Sequence, residues 1–132
     1  VHPNALKFIS KGNFDKLIAV KKALITEQTT YAEFAWHCSE VVANINCSHT
    51  STLGFWEANK MLPQEVRFPL QSRLIDGCLY IIDPLNNSDQ LSTKDEIISI
   101  NGIAVKELIS QIYRYIASQG FIETSKTHEF NK

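Results

Sequence analysis

Hydrophobic positions recur at helical spacing in the first half of the chain and tend to alternate in the second. Within "NFDKLIAVKKALITEQ", Leu17, Ile18, Val20, Leu24 and Ile25 fall at i, i+3/i+4 and i+7 separations, which predicts an amphipathic helix with Asn13 or Asp15 as its cap. A second helix is marked more sharply by Thr30-x-x-Glu33, a capping box in which side chain and backbone satisfy each other's free donors. Beyond it Phe34, Cys38, Val41, Val42 and Ile45 share one face. The short "EQTT" turn between the two segments predicts a helical hairpin.

The period changes after "NCSHTSTLG", and "GFWEANKMLPQEV" reads as a connector holding a short helical turn. A boundary near residue 60 divides the chain into a helical region, 1–60, and a second domain, 61–132. "RFPLQSRLIDGCLYIID" predicts a strand hairpin closed by Asp76-Gly77, with Pro69 at an edge or bulge because proline has no N–H for a ladder. After the polar "PLNNSDQLSTK" comes the strand "EIISI", the turn Asn101-Gly102 and a short strand. A helix follows from Val105 to Ser118, its stripe made by Val105, Leu108, Ile109, Ile112 and Ile116 and its C-cap by Gly120. The tail "FIETSKTHEF" predicts one more strand. The fold class is α+β.

The 132 residues suffice for one ordinary domain or two very small ones, burying about two thirds of the unfolded surface. A composition of 44% hydrophobic and 20% charged residues is that of a globular chain without low-complexity tracts. A formal net charge of -1 gives no electrostatic reason to expect nucleic acid or an anionic membrane as partner. The lysines at 7, 11, 16, 21 and 22 read as a solvated helix face. No apolar run approaches the roughly 20 residues that span a bilayer. The chain starts at Val1 rather than Met, as a processed product or an excised piece does. Three cysteines, Cys38, Cys47 and Cys78, leave at least one unpaired and lack the paired C-x-x-C spacing of zinc sites.

Cys47-Ser48-His49-Thr50 is the one cluster that invites a catalytic reading, since Cys or Ser beside His is a nucleophile and base pairing. In an extended segment Ser48 and His49 point to opposite faces, and Cys47 and His49 share a side without an orienting acid. A metal held by Cys47 and His49 needs one or two further ligands, for which His37 is the only nearby candidate. His37 itself reads as a helix-surface or satisfied core histidine, Trp36 and Trp56 as packing residues, and Cys38 as a small apolar one. Asp76, Asp83, Asp89 and Asp95 suit turns, with no pair set for acid/base work. These residues predict no catalytic site, metal or cofactor.

"KDEIISINGIAVKEL" resembles the "GDxIxxINGxxV" segment of PDZ domains, with Lys94 where the motif has Gly. With "HP" near the start, then "INCSHT", "LP", "FPL", "DGCLYI", "INGIAV" and "YIASQG", nearly the whole chain is similar to the N-terminal part of the C-terminal processing (tail-specific) serine peptidases, especially the secreted bacterial branch. The resemblance implies an N-terminal helical hairpin or small bundle and a PDZ-like, partly open β-barrel with a groove helix. Both precede a Ser/Lys catalytic domain that is absent from this chain. It implies a groove in which an extended peptide adds to the strand through Arg67, Phe68, Leu70, Ser72 and Leu74, with Val105, Leu108, Ile109 and Ile112 as the helical wall. Arg67 would face a terminal carboxylate. By resemblance His49 ties its segment to its neighbours through its ring nitrogens. The implied partners are a peptide or unfolded protein and the missing catalytic domain, in an extracytoplasmic setting. The rival readings are a stand-alone PDZ-like adaptor or scaffold, and a small thiol enzyme using Cys47 and His49.

Overall fold

The computed structural model describes residues 4–52 and 63–131, so Trp56 and the expected boundary near residue 60 lie outside the described residues. Helix α1, Lys11–Leu24, starts one turn earlier than expected: Ser10, not Asn13 or Asp15, is the cap, its Oγ accepting from the Asn13 N–H at 3.2 Å. Lys21 and Lys22 fill the last turn, where cations suit the helix dipole. Helix α2, Tyr31–Ala43, opens on the predicted capping box. Thr30 Oγ1 accepts from the Glu33 N–H at 3.2 Å, and the Thr30 N–H donates to Glu33 Oε2 at 2.8 Å. That backbone N–H above all, with the Thr30 hydroxyl, which donates to Glu33 Oε2 at 2.9 Å, holds the Glu33 carboxyl below its usual range.

The covered face of α2 is not the one its large apolar residues suggest. Ala35, Ser39, Glu40 and Ala43 are buried, whereas Phe34 is exposed and Cys38, Val41 and Val42 are half-buried. Small side chains at i, i+4 and i+8 let a neighbouring element come close, and the larger residues ride on the flanks. On α1, Leu17 and Ile18 are half-buried while Val20 and Leu24, and Ile25 just beyond the helix, are exposed.

In the second half, β1 (Gln71–Ile75), β2 (Cys78–Asp83) and β3 (Glu96–Ile97) form an antiparallel sheet in that order. The β1–β2 turn places Asp76 at φ 50° and Gly77 at φ 84°, both positive as a type I′ hairpin requires. Pro69 precedes the ladder, and the register shifts between Gln71 and Ser72 just after it. A second hairpin, β4 (Ser99–Ile100) with β5 (Ile103–Ala104), turns on Asn101 and Gly102, again with both φ positive. Helix α3, Val105–Ile112, follows at once, its first N–H donating to the Ile98 carbonyl at 3.0 Å. Leu74, Leu79 and Val105 are the buried centre, with Ile97, Ile100, Ile109, Tyr113 and Phe130 packed on it. The class is α+β as expected. The two small sheets do not close into a barrel among the described residues.

Three expectations for the C-terminal third are corrected. The helix predicted to reach Ser118 ends at Ile112, passes into a 3-10 turn over Tyr113–Tyr115 and becomes extended at Ile116. On this path Ser118 lies buried beside Asn46, its Oγ 2.9 Å from Asn46 Oδ1. Gly120 is not a helix cap: at φ 62° it donates its N–H to the Asn46 carbonyl at 2.9 Å and lies against the Phe8 ring. The tail forms a helix, α4 (Thr124–Phe130), rather than a strand. Thr127 Oγ1 meets Tyr113 Oη at 2.7 Å and Phe130 reaches the core, contacts that a helical period allows.

The two halves meet through specific pairs. The buried Glu40 carboxylate takes Lys21 Nζ of α1 at 2.6 Å and Arg114 Nη2 of the 3-10 turn at 2.7 Å. Trp36 stands edge-on to Tyr115 with ring centroids 4.5 Å apart, and Phe8 to Phe121 at 5.3 Å.

Candidate functional site

Beside α2 the neighbouring elements do not close completely. A cavity of about 590 Å³ opens there, within the roughly 300–1,000 Å³ of ligand sites. Its first wall is α2, with Trp36, Ser39, Val42 and Ala43. Opposite stand Ile112 at the end of α3 and Tyr115, Ile116 and Ala117 after it. Phe68, ahead of β1, and Glu129 and Phe130 of α4 close the remaining sides, and Ser48 and residues 50–52 supply hydroxyls along one edge. Ser39 Oγ donates to the Ala35 carbonyl at 2.8 Å and lies 2.6 Å from Thr52 Oγ1. A hydroxyl has one proton, so Thr52 is the donor of that second bond and both groups are satisfied. A smaller recess of about 280 Å³ adjoins, between Trp36 and Leu108, Gln111, Ile112, Arg114 and Tyr115.

The residues expected to line a groove between strand and helix separate into three groups. Leu74 and Val105 are buried against each other in the core and Ile109 packs on them, so this chain's own side chains fill the seam between β1 and α3. Leu108 and Ile112 turn toward Trp36, and Phe68 and Ile112 meet at the large cavity. Arg67 is exposed next to Phe68, while Leu70 and Ser72 are half-buried, Ser72 pairing with Ile81 in the ladder. The Pro69 carbonyl accepts from Asn87 Nδ2 at 3.0 Å, which fixes the approach to β1.

Sequence reasoning missed Ser39, Ala43, Thr52, Tyr115 and Phe130. The i+4 recurrence of Ala35, Ser39 and Ala43 was the one available signal for this wall. The outer edge of β1 was missed as well: Asn131, directly after α4, donates from Nδ2 to the Leu74 carbonyl and accepts the Leu74 N–H at Oδ1, each at 2.8 Å.

Among the described residues the Cys47–Thr50 segment does not assemble a reaction site. Ser48 Oγ donates to Gln119 Oε1 and His49 is exposed, so Ser48 and Asn46, rather than His49, tie this segment to residues 118–120. Among the described residues no three His, Cys, Asp or Glu side chains gather as metal ligands. The thiol of Cys78 is pushed up by its hydrogen bond to Glu96 and by burial, away from the thiolate that a nucleophile needs. No described helix is long and apolar enough to cross a membrane.

Comparison of the chain with protein-family models, with curated proteins and with solved structures finds no match in any of the three.

Proposed function

We propose that the chain is the non-catalytic recognition part of a tail-specific serine peptidase, with a PDZ-like second half that takes an apolar peptide segment or an unfolded protein. Hydrolysis is left to a Ser/Lys domain outside this chain, in the extracytoplasmic setting that the resemblance implies. The observation that carries the reading is the meeting of Phe68 and Ile112, expected on opposite groove walls, across a cavity backed by Trp36. An apolar pocket with hydroxyls on one edge suits an apolar side chain whose backbone remains near polar groups. Exposed Val20, Leu24, Tyr31 and Phe34 lie toward the turn end of the helical hairpin and offer apolar surface to a second domain.

Calorimetric titration with apolar peptides tests this. Phe68→Ala and Ile112→Ala should each weaken binding about tenfold, the loss of one buried apolar side chain, and the chain alone should not cleave unfolded protein. Equal affinity in the natural chain and both variants would remove the cavity from the reading.

A second reading, a scaffold module without a working groove, is favoured by one feature. Leu74, Val105 and Ile109 fill the seam in which a strand-adding peptide would lay its side chains.

A further inference from the structure

We propose that Asn131 is a latch on the outer edge of β1, and that an extended peptide reaches this edge by displacing it. The inference rests on the peptide-binding reading above and names how access to that surface is regulated. Among the described residues β1 is the outer strand of its sheet, so one row of its backbone groups faces away from β2. At Leu74 both groups in that row are engaged by the Asn131 carboxamide at 2.8 Å. A carboxamide carries the donor and acceptor of a peptide unit, and the pair of bonds reproduces the two rungs that a neighbouring strand residue would make. By the two-residue alternation of an antiparallel ladder, Ser72 presents its N–H and C=O on the same side. The register shift between Gln71 and Ser72 ends this stretch. The edge therefore offers two consecutive docking positions, one of them held by the chain itself.

The latch is carried by a short element. α4 has seven residues, too few to hold a helix alone. It is fastened by the Thr127–Tyr113 hydroxyl pair, by Lys126 over the Tyr113 ring, by the Gln119 N–H donating to Ser125 Oγ at 3.1 Å, by Phe130 on the core and by Asn131 itself. Glu129 and Phe130 also form a wall of the cavity. Release of Asn131 frees a strand edge next to that wall, and a bound strand could place one side chain toward the space that Phe68 and Ile112 line.

The test uses an acetylated, amidated hexapeptide of alternating valine and threonine, with Asn131→Ala and Asn131→Asp. The alanine variant removes both bonds, and the aspartate keeps an acceptor for the Leu74 N–H but loses the donor to its carbonyl. Peptide affinity should rise about tenfold in Asn131→Ala, as two modest hydrogen bonds no longer compete, and by less in Asn131→Asp. The Leu74 amide of free Asn131→Ala should exchange with deuterium faster than in the natural chain and regain protection when peptide is added. Binding that shifts the Phe68 and Ile112 amides but is equally strong in all three chains overturns the latch and leaves the recognition reading standing. No binding to any of them, with Leu74 exchanging fast in Asn131→Ala, overturns both. In the natural chain the Asn131 side-chain amide resonances should move to solvent-exposed positions on saturation. Resonances that stay in place while peptide binds overturn the latch even if neither variant folds.

Discussion

Among the described residues, Asn46, Asp76, Leu85, Lys94 and Asn101 have positive φ without being glycine. Asn and Asp tolerate this region; Leu85 and Lys94 pay the full contact between Cβ and carbonyl oxygen. Lys94, at φ 80°, holds a backbone conformation that glycine adopts freely. Its N–H donates to the Ile81 carbonyl at 2.8 Å, a bond that glycine would retain, and its side chain is exposed. Lys94→Gly should therefore stabilise the fold by about 1 kcal/mol, after allowance for the added freedom of the unfolded chain. A urea midpoint that falls on this substitution would contradict the account. Gly120 and Gly77 form a second comparison. Both have positive φ, yet a Cβ at Gly77 meets nothing within 4 Å while one at Gly120 would sit 3.0 Å from the Phe8 ring. Gly77→Ala should cost about 1–2 kcal/mol from the dihedral alone, and Gly120→Ala at least about 1 kcal/mol more, because Phe8 is forced to shift. Equal losses in urea unfolding would mean that Phe8 yields freely.

At the scale of elements, Glu40 joins α1, α2 and the turn after α3. It is 5% exposed. Burial acts against its charged form and is the largest single influence, but the hydrogen bonds and charges of Lys21 and Arg114 together outweigh it, and its carboxyl titrates below the usual range. With the folded-state value below the unfolded one, near 4.5, this stabilisation is present above about pH 4.5 and is lost as pH falls through the folded value. Glu40→Gln should cost about 3 kcal/mol near neutral pH, since it leaves Lys21 and Arg114 facing a neutral group. It should also flatten the acid limb of the stability profile. Unchanged acid unfolding in Glu40→Gln would place the titrating group elsewhere.

The elements that were legible in the sequence are those decided by neighbours in the chain. Thr30 and Glu33 cap each other, and Asp76-Gly77 and Asn101-Gly102 turn by their own dihedral preferences, so these features needed no tertiary knowledge. The buried face of α2 was not legible, because its large apolar residues and its line of Ala35, Ser39 and Ala43 both fit a helical period. Only the neighbouring elements select between them. α4 was misread for a similar reason: what favours a helix there is Thr127 on Tyr113 and Phe130 on the core, contacts invisible in a local window. The candidate site was half legible. Phe68 and Ile112 were named, but Ser39 and Tyr115 were not, and neither was Asn131, which reaches Leu74 across 57 positions of sequence.

For the whole molecule, the halves are joined by Glu40 with Arg114, Trp36 with Tyr115 and Asn46 with Ser118, and the cavity lies along this junction. A ligand there would touch both halves and should stabilise the folded chain in proportion to its occupancy. An apolar peptide at one hundred times its dissociation constant should add about 2.7 kcal/mol to unfolding. The most direct measurement is a two-dimensional amide NMR titration with apolar peptides bearing free or amidated C-termini. The account predicts saturable shifts at Phe68, Ile112 and Tyr115 and at the Trp36 indole, with small changes on the remote face of α1. No shifts with any peptide, or shifts confined to residues away from the cavity, would contradict it and leave the module a scaffold.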